Sequence, residues 1–307
     1  MELINKKAIS LFGAIAFCFS VFAQNEVLFN DIHFYESLTT VKEKLGQNVL
    51  SHTVFTRYEP TFPLASETEE HLICTNLKTA NGILAQVVFT FADNKLHYIE
   101  AKGNTLKTLI EKRNDTAVDY LNFKVYKKSN LFADLENDAV RFVSKEAAHP
   151  NLFTWSNPFI SEKQPENYRY NTSIEVPSFL EMGGELDRLR PMLIANAATV
   201  TEQKLDGSDP NAQLQLNCFG VEYAGFPRKV EARFGDGRLN AVWILTAKAE
   251  ENRIRKKLIK SFGEPIFKNA DWEIFNDWTI GLRKDKPEIL LLTPELGQFY
   301  KKNYFNQ

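Results

Sequence analysis

Two distant stretches of this chain carry the same series of strand and turn signals, and that limits the folds open to it. Leu214 to Leu245 reads LQLNCFGVEYAGFPRKVEARFGDGRLNAVWIL, three strand-like runs divided by a Gly-Phe-Pro turn and an Asp-Gly turn. Leu72 to Ala101 reads LICTNLKTANGILAQVVFTFADNKLHYIEA, with Cys74 in the place of Cys218 and Asp93-Asn94 in the place of Asp236-Gly237. Asp-Asn and Asp-Gly pairs suit two-residue hairpin turns, where both central residues need positive φ.

The parallel continues on both sides, in the same order. Upstream, Leu38, Val41 and Leu45 share the spacing of Leu186, Leu189 and Leu193, the apolar stripe of an amphipathic helix. Downstream, Leu106 and Ile110 match Ile254 and Leu258, again at helical spacing. Asn137-Asp138 then matches Asn276-Asp277, and His149-Pro150-Asn151-Leu152 matches Lys286-Pro287-Glu288-Ile289. An internal period of this kind predicts one unit used twice. Each unit reads helix, strands, helix, strands, and tight turns between neighbouring strands make the sheets antiparallel. The expected fold class is therefore α+β, a tandem duplication of a helix plus antiparallel-sheet unit.

The expected boundaries follow. Lys6 and Lys7 precede an apolar run from Ala8 to Ala23 that ends in Val-Phe-Ala, the pattern of a secretory signal peptide over residues 1–23. The run is too short to favour a permanent membrane span, and no later run reaches spanning length. Residues 24–156 form the first repeat. The polar stretch 157–178, with Pro158, Pro165 and Pro177, is the predicted linker, though Phe159, Tyr168 and Tyr170 give it means to pack. Residues 179–307 form the second repeat. Within it a helix from Phe179 to Ala195 should be kinked or split by Pro191. A second helix should run from Lys248 to Phe262 and stop at Gly263. In the first repeat, a helix beginning at Asn104 should turn Leu106, Leu109, Ile110 and Val118 inward.

A leader of this kind places the mature chain in a periplasm or outside the cell. The richness in Lys, Asn and Phe resembles the style of secreted proteins of the Bacteroidota. Net charge is −2, which supplies no field for nucleic acid or an anionic membrane. Cys74 and Cys218, the cysteines left after cleavage, have two readings. They are buried free thiols acting as small apolar side chains, or a disulfide if their strands meet at a pseudo-twofold axis.

Chemical motifs are sparse. The histidines (His33, His52, His71, His97, His149) form no pair with metal-ligand spacing, and no Cys-x-x-Cys or G-x-S-x-G occurs. His52, His71 and His97 fall on predicted strands of one unit and could converge. Glu67, Glu69 and Glu70 precede the first core strand, and Asp206 and Asp209 hold the equivalent place in the second unit. Such acidic loops can bind Ca²⁺ or act on a sugar, but more often they are solvated. Trp272 and Trp278 flank Asn276-Asp277 and, with Phe275, form a candidate binding rim. Asn114-Asp115-Thr116 and Asn171-Thr172-Ser173 are sequons, and Asp115-Thr116-Ala117 resembles a short O-glycosylation site.

The duplicated plan is similar in outline to β-lactamase-inhibitor-like tandem repeats. That likeness implies a concave sheet presented to a protein partner, and no residue carries over from it. The expected function is a non-catalytic binding or interaction protein without a cofactor. It would engage an unknown protein or ligand on a sheet face or in an inter-repeat cleft. The 24 Phe motivate a carrier of a small apolar molecule or lipid as an alternative, and converging carboxylates would make it a glycan hydrolase.

Overall fold

The computed structural model describes residues 28, 30–160 and 173–305. The expected signal peptide, most of the predicted linker and the sequon at Asn171 lie outside the described residues. In the first unit, helix α1 (Leu38–Leu45) leads into strands β1 (Ser51–Arg57), β2 (Glu69–Thr79), β3 (Gly82–Ala92) and β4 (Lys95–Lys102). A π-helical turn, Leu106–Ile110, separates these from β5 (Val118–Tyr120), β6 (Phe123–Tyr126), β7 (Leu131–Asp134) and β8 (Ala139–Val143). In the second unit, α2 (Leu186–Ala195) precedes β9 (Thr199–Lys204), β10 (Leu214–Tyr223), β11 (Phe226–Gly235) and β12 (Arg238–Leu245). Then come α3 (Glu251–Phe262), β13 (Phe267–Lys268), β14 (Trp272–Phe275), β15 (Ile280–Arg283), β16 (Glu288–Leu292) and α4 (Pro294–Tyr300).

The strands form two eight-stranded antiparallel sheets. The first has the order β1-β2-β3-β4-β8-β7-β6-β5. The second, read from β9, has the order β9-β10-β11-β12-β16-β15-β14-β13. Position for position, these orders are the same. In each, two four-stranded meanders join along one antiparallel pair, β4 with β8 and β12 with β16. Sheet dominates and helices are few and short, so the architecture is more sheet-rich than the helix-strand alternation of the sequence implies.

Local chemistry accounts for the elements. Asp93 and Asn94 sit at φ 49° and 60°, and Asp236 and Gly237 at 51° and 72°, the positive pair that the β3–β4 and β11–β12 hairpins need. The β10–β11 turn falls on Ala224-Gly225, not on the expected Gly-Phe-Pro, because Phe226 and Pro227 already pair with Tyr223 and Glu222. Ser37 caps α1 by accepting from the Thr40 amide. The helical stripes point where their spacing predicts: Val41 and Leu45 of α1, Leu189 and Leu193 of α2, and Ile254 and Leu258 of α3 are buried. The second unit's first helix begins at Leu186, not Phe179, and runs through Pro191. Among the described residues, no helix is long and apolar enough to cross a membrane.

Each sheet has its own core on the face covered by its helices. A third cluster spans the units. Phe219 and Phe226 of the second pack with Phe62, Tyr98 and Trp155 of the first, with the Phe226 ring 5.2 Å from Trp155 and 6.2 Å from Phe62. The seam is reinforced by polar contacts: His149 Nε2 donates to the Pro287 carbonyl at 2.9 Å, and Ser66 Oγ to the Ala249 carbonyl at 3.2 Å. At this seam, where the sequence suggests a ligand cleft, aromatic side chains fill the space. Burying such rings is worth about 1.5–3 kcal/mol each, which favours the docked arrangement over an open one.

Candidate functional site

Two groupings of polar side chains stand apart from ordinary surface. The first lies under the outer face of the first sheet. His71 Nε2 donates to Glu69 Oε1 at 2.8 Å, and His71 Nδ1 faces Thr90 Oγ1 and Asn157 Nδ2, each at 3.1 Å. Glu69 Oε2 accepts from the amides of Thr61 and Phe62. Burial opposes charge on Glu69, yet the imidazole and the Phe62 amide prevail and hold its pKa down at about 2. Carboxylate, imidazole and hydroxyl are linked as in a hydrolytic triad. All three are nonetheless buried, and the Phe159 ring packs tilted against the imidazole at 4.8 Å between ring centres. Thr90 Oγ1 also accepts from Asn157 Nδ2 at 2.8 Å. A substrate carbonyl has no way in, so the network pins the 157–160 segment to the sheet.

The second grouping lines an open cleft of about 450 Å³ at one end of the first sheet. Its walls are the β2–β3 turn with Asn81, the π-helical turn with Thr108 and Leu109, and the segment from Lys112 to Asp115. Lys128 and Asn30 complete the rim, with Leu28 beside Leu109. The cleft follows from a difference between the units. Where the second unit winds α3 over twelve residues, the first winds five residues in π geometry and then leaves the helix. The wider winding turns Thr108, Leu109 and Ile110 inward and leaves Leu106 48% exposed, against the α-helical expectation for Leu106. Val118, also expected inward, is exposed on β5. Single π turns recur at functional sites because they displace side chains from the regular helical stripe.

Most polar groups of the cleft are engaged. Asn81 Nδ2 donates to the Thr108 carbonyl, and Lys112 Nζ donates to Asn81 Oδ1 at 3.0 Å. Arg113 Nε donates to Asp115 Oδ1 at 3.0 Å, its Nη2 to Ser129 Oγ, and its guanidinium lies over the Tyr126 ring. Two oxygens differ. Thr108 Oγ1 and Asp115 Oδ2 are buried and have no hydrogen-bond partner among the described residues. Thr108 is 2% exposed. A buried polar atom without a partner costs about 1–3 kcal/mol, so two just behind the wall of one cleft ask for an explanation. Gly82 shapes the same corner. It adopts φ +146°, and a Cβ there would stand 3.2 Å from Thr108 Oγ1.

The remaining candidates are dispersed. Phe275 is 0% exposed in the second core, and Trp278 is 8% exposed against Phe267 and Phe305. Trp272 is half-buried beside Trp243 and Phe305. Trp272 and Trp278 therefore pack under the C-terminal segment, where α4 and the turn after it fold back over them, while Phe275 points into the core on the other face of β14, so the three do not form the expected exposed rim. Cys74 and Cys218 are free and buried, each in its own sheet's core, so the disulfide alternative does not form here. Burial pushes both thiols up to about 12, which makes them inert. Cys74 and His71 lie on opposite faces of β2, as odd spacing on a strand requires.

His52 is exposed on β1, and His97 Nδ1 lies 3.0 Å from Ser144 Oγ, so the three strand histidines have separate surroundings. Glu69 departs from its acidic neighbours into the His71 network. Asp206 and Asp209 are exposed and accept from the amides of Ser208 and Asn211 in their own loop. Among the described residues, no group of three or more His, Cys, Asp or Glu could hold a metal ion.

Sequence reasoning does not single out Thr108 and Asp115 as ligand groups. The available signal is Thr108, a polar residue inside an apolar helical stripe, two residues after Leu106. Comparison of the chain with protein-family models, with curated proteins and with solved structures gives no match.

Proposed function

We propose that this protein is a non-catalytic binding protein of the secreted or periplasmic kind, built by duplication of one helix-and-sheet unit. The cleft beside the π-helical turn is its ligand site. One observation carries the reading: Thr108 and Asp115, each holding a buried oxygen without a partner among the described residues, belong to the walls of the same open cleft. A bound molecule that shifted the wall and donated to both would remove the cost of leaving them unpaired. The cleft's size falls within the roughly 300–1,000 Å³ range of small-molecule sites. Duplication is supported by the shared strand order and by the matched helical stripes. In this reading the second unit buttresses the first, and its longer α3 occupies the position that the cleft leaves open.

A second reading, the apolar carrier, draws support from a different place. A crevice of about 380 Å³ between the 176–182 segment and β15–β16 is lined by Val176, Leu180, Met182, Ile280 and Leu291.

Native mass spectrometry of residues 24–307, purified gently from its own cell envelope, tests both. A retained small mass that disappears in Thr108→Val and Asp115→Asn supports the polar cleft. A retained mass indifferent to both substitutions but lost in Met182→Lys supports the apolar crevice and overturns the first reading. A bare polypeptide overturns tight binding at either place.

A further inference from the structure

Among the described residues, the two sheets end in four edge strands, β1 and β5 in the first and β9 and β13 in the second. An edge strand offers backbone N–H and C=O groups to any other extended chain, and proteins blunt such edges with short strands, charges or bulges. β5 has three residues and β13 has two. β9 has six but carries Glu202 and Lys204, and Arg190 of α2 pairs with Glu202. β1 is different. It runs for seven residues, Ser51–Arg57, without a proline or an acid, and pairs with β2 at every position without a bulge. Its Arg57 turns back onto its own sheet, where the guanidinium lies over the Phe55 ring and Nη1 donates to Thr61 Oγ1 at 2.6 Å. Ser51, His52 and Thr53 are exposed. The residues immediately before and after the strand complete the pattern. Leu50 is 75% exposed and Tyr58 78%, more than any other large hydrophobic side chain among the described residues.

Leu50 and Tyr58 stand equally far from Val54, the middle residue of β1. That symmetry selects the partner. In an interface between two identical copies about a twofold axis, residue i meets residue j and j meets i. We infer that β1 is a homodimer interface: two copies pair edge to edge, antiparallel about an axis at Val54, and join their first sheets into one continuous sheet. The whole strand then overlaps its copy. Ser51 lies opposite Arg57, His52 opposite Thr56, and Thr53 opposite Phe55. The same register sets Leu50 of each copy against Tyr58 of the other, so the two most exposed apolar side chains cover each other at both ends. The imidazole and the guanidinium each face a hydroxyl, and no like charges stand directly opposed. A shift of two positions shortens the overlap and separates both Leu50–Tyr58 contacts. A shift of one sets the core face of one sheet beside the outer face of the other. A foreign strand would need its own apolar residues at both ends, whereas a second copy of this chain already carries them.

The test is sedimentation velocity of residues 24–307 from nanomolar to high micromolar concentration, where the parent chain is expected to pass from monomer to dimer. Leu50→Glu with Tyr58→Glu sets acid against acid at both ends and should raise the dissociation constant about tenfold or more. Leu50→Lys with Tyr58→Glu sets opposite charges together and should restore the dimer. Both positions are exposed, so the fold does not depend on either side chain. A chain carrying Leu50→Cys and Tyr58→Cys should oxidise to a covalent dimer, because directly opposed residues come within disulfide reach. Either cysteine alone should not cross-link, since its two copies lie at opposite ends of the paired strands, and Cys74 and Cys218 are buried and do not compete. A parent chain that stays monomeric throughout the series overturns the inference. A dimer that ignores the double acid, or that leaves the double-cysteine chain uncrosslinked, overturns it too, because another surface then pairs. A lysine–glutamate variant as weak as the double acid overturns the register.

Discussion

Arg253, on α3 of the second unit, donates through Nη2 to the carbonyl oxygen of Phe62 in the first unit at 2.9 Å. Its Nη1 reaches the Ala65 carbonyl at 2.5 Å, and its other contacts include Glu250, which also holds the buried Arg228 in a two-point ion pair. One side chain thus ties the loop before β2 to the helix of the other unit, and Phe62 places its ring in the shared aromatic cluster beside the tie. The two units should consequently unfold together.

Arg253→Met removes the tie and takes the guanidinium from the Ala65 carbonyl, while the Phe62 carbonyl keeps only the Ala65 amide. A loss of about 2–4 kcal/mol is expected, from the hydrogen bonds and from weakened pairing of Glu250. Differential scanning calorimetry should show one transition for the parent chain and two for the variant. A single transition at an unchanged temperature would contradict the coupling.

Thr108→Val and Thr90→Val are the same chemical change with opposite expected signs. Thr108 Oγ1 has no partner among the described residues, so the substitution removes an unsatisfied group and should raise stability by about 1 kcal/mol in the absence of ligand. Thr90 Oγ1 accepts from Asn157 and faces His71, so its loss should cost about 1–3 kcal/mol. Urea unfolding midpoints compare the two directly. Destabilisation by both would mean that the Thr108 hydroxyl is satisfied in solution.

Acid should expose the Glu69–His71 contact. The folded pKa of Glu69, about 2, lies below its ordinary value of 4.5. Its contribution is therefore complete above about pH 4.5 and declines as pH falls toward 2. By proton linkage the loss amounts to roughly 3 kcal/mol at most. Glu69→Gln should lower stability at pH 7 and flatten the slope between pH 4.5 and 2. An unchanged slope in that window would assign the acid sensitivity to other carboxylates.

Cys74 and Cys218 should both titrate as thiols once the chain is denatured, and neither should react with a water-soluble disulfide reagent in the folded protein. Burial and thiols raised to about 12 leave almost no thiolate at pH 7. Intact mass before and after reduction should agree. A difference of two protons would mean that the cysteines had joined, which would require their strands to leave their separate cores.

Much of this architecture is written locally. Positive φ at Asp93-Asn94 and Asp236-Gly237 follows from those residue pairs, and the burial of Val41 with Leu45, and of Leu189 with Leu193, follows from their spacing. These features depend on neighbours within a few positions, so the order of residues specifies them directly. The Trp272, Phe275 and Trp278 rim fails as a sequence reading because exposure is not local. Whether the two Trp rings face water depends on α4 and Phe305, which return from further along the chain, and Phe275 is covered by the second unit's own core.

The cleft and the His71 network belong to the same category. The spacing of Leu106 and Ile110 reads as α-helix, but the chain winds as a π turn, and Thr108 meets the Asn81 turn from β2–β3 and the segment ending at Asp115. His71 becomes a buried partner of Glu69 only when Asn157 and Phe159, far along the chain, close over the sheet. Turns, strand alternation and helical stripes are energies of adjacent residues, and composition and order fix them. A satisfied or orphaned polar atom is an energy of residues brought together from distant positions, and it exists only once the sheets have docked and their loops have closed.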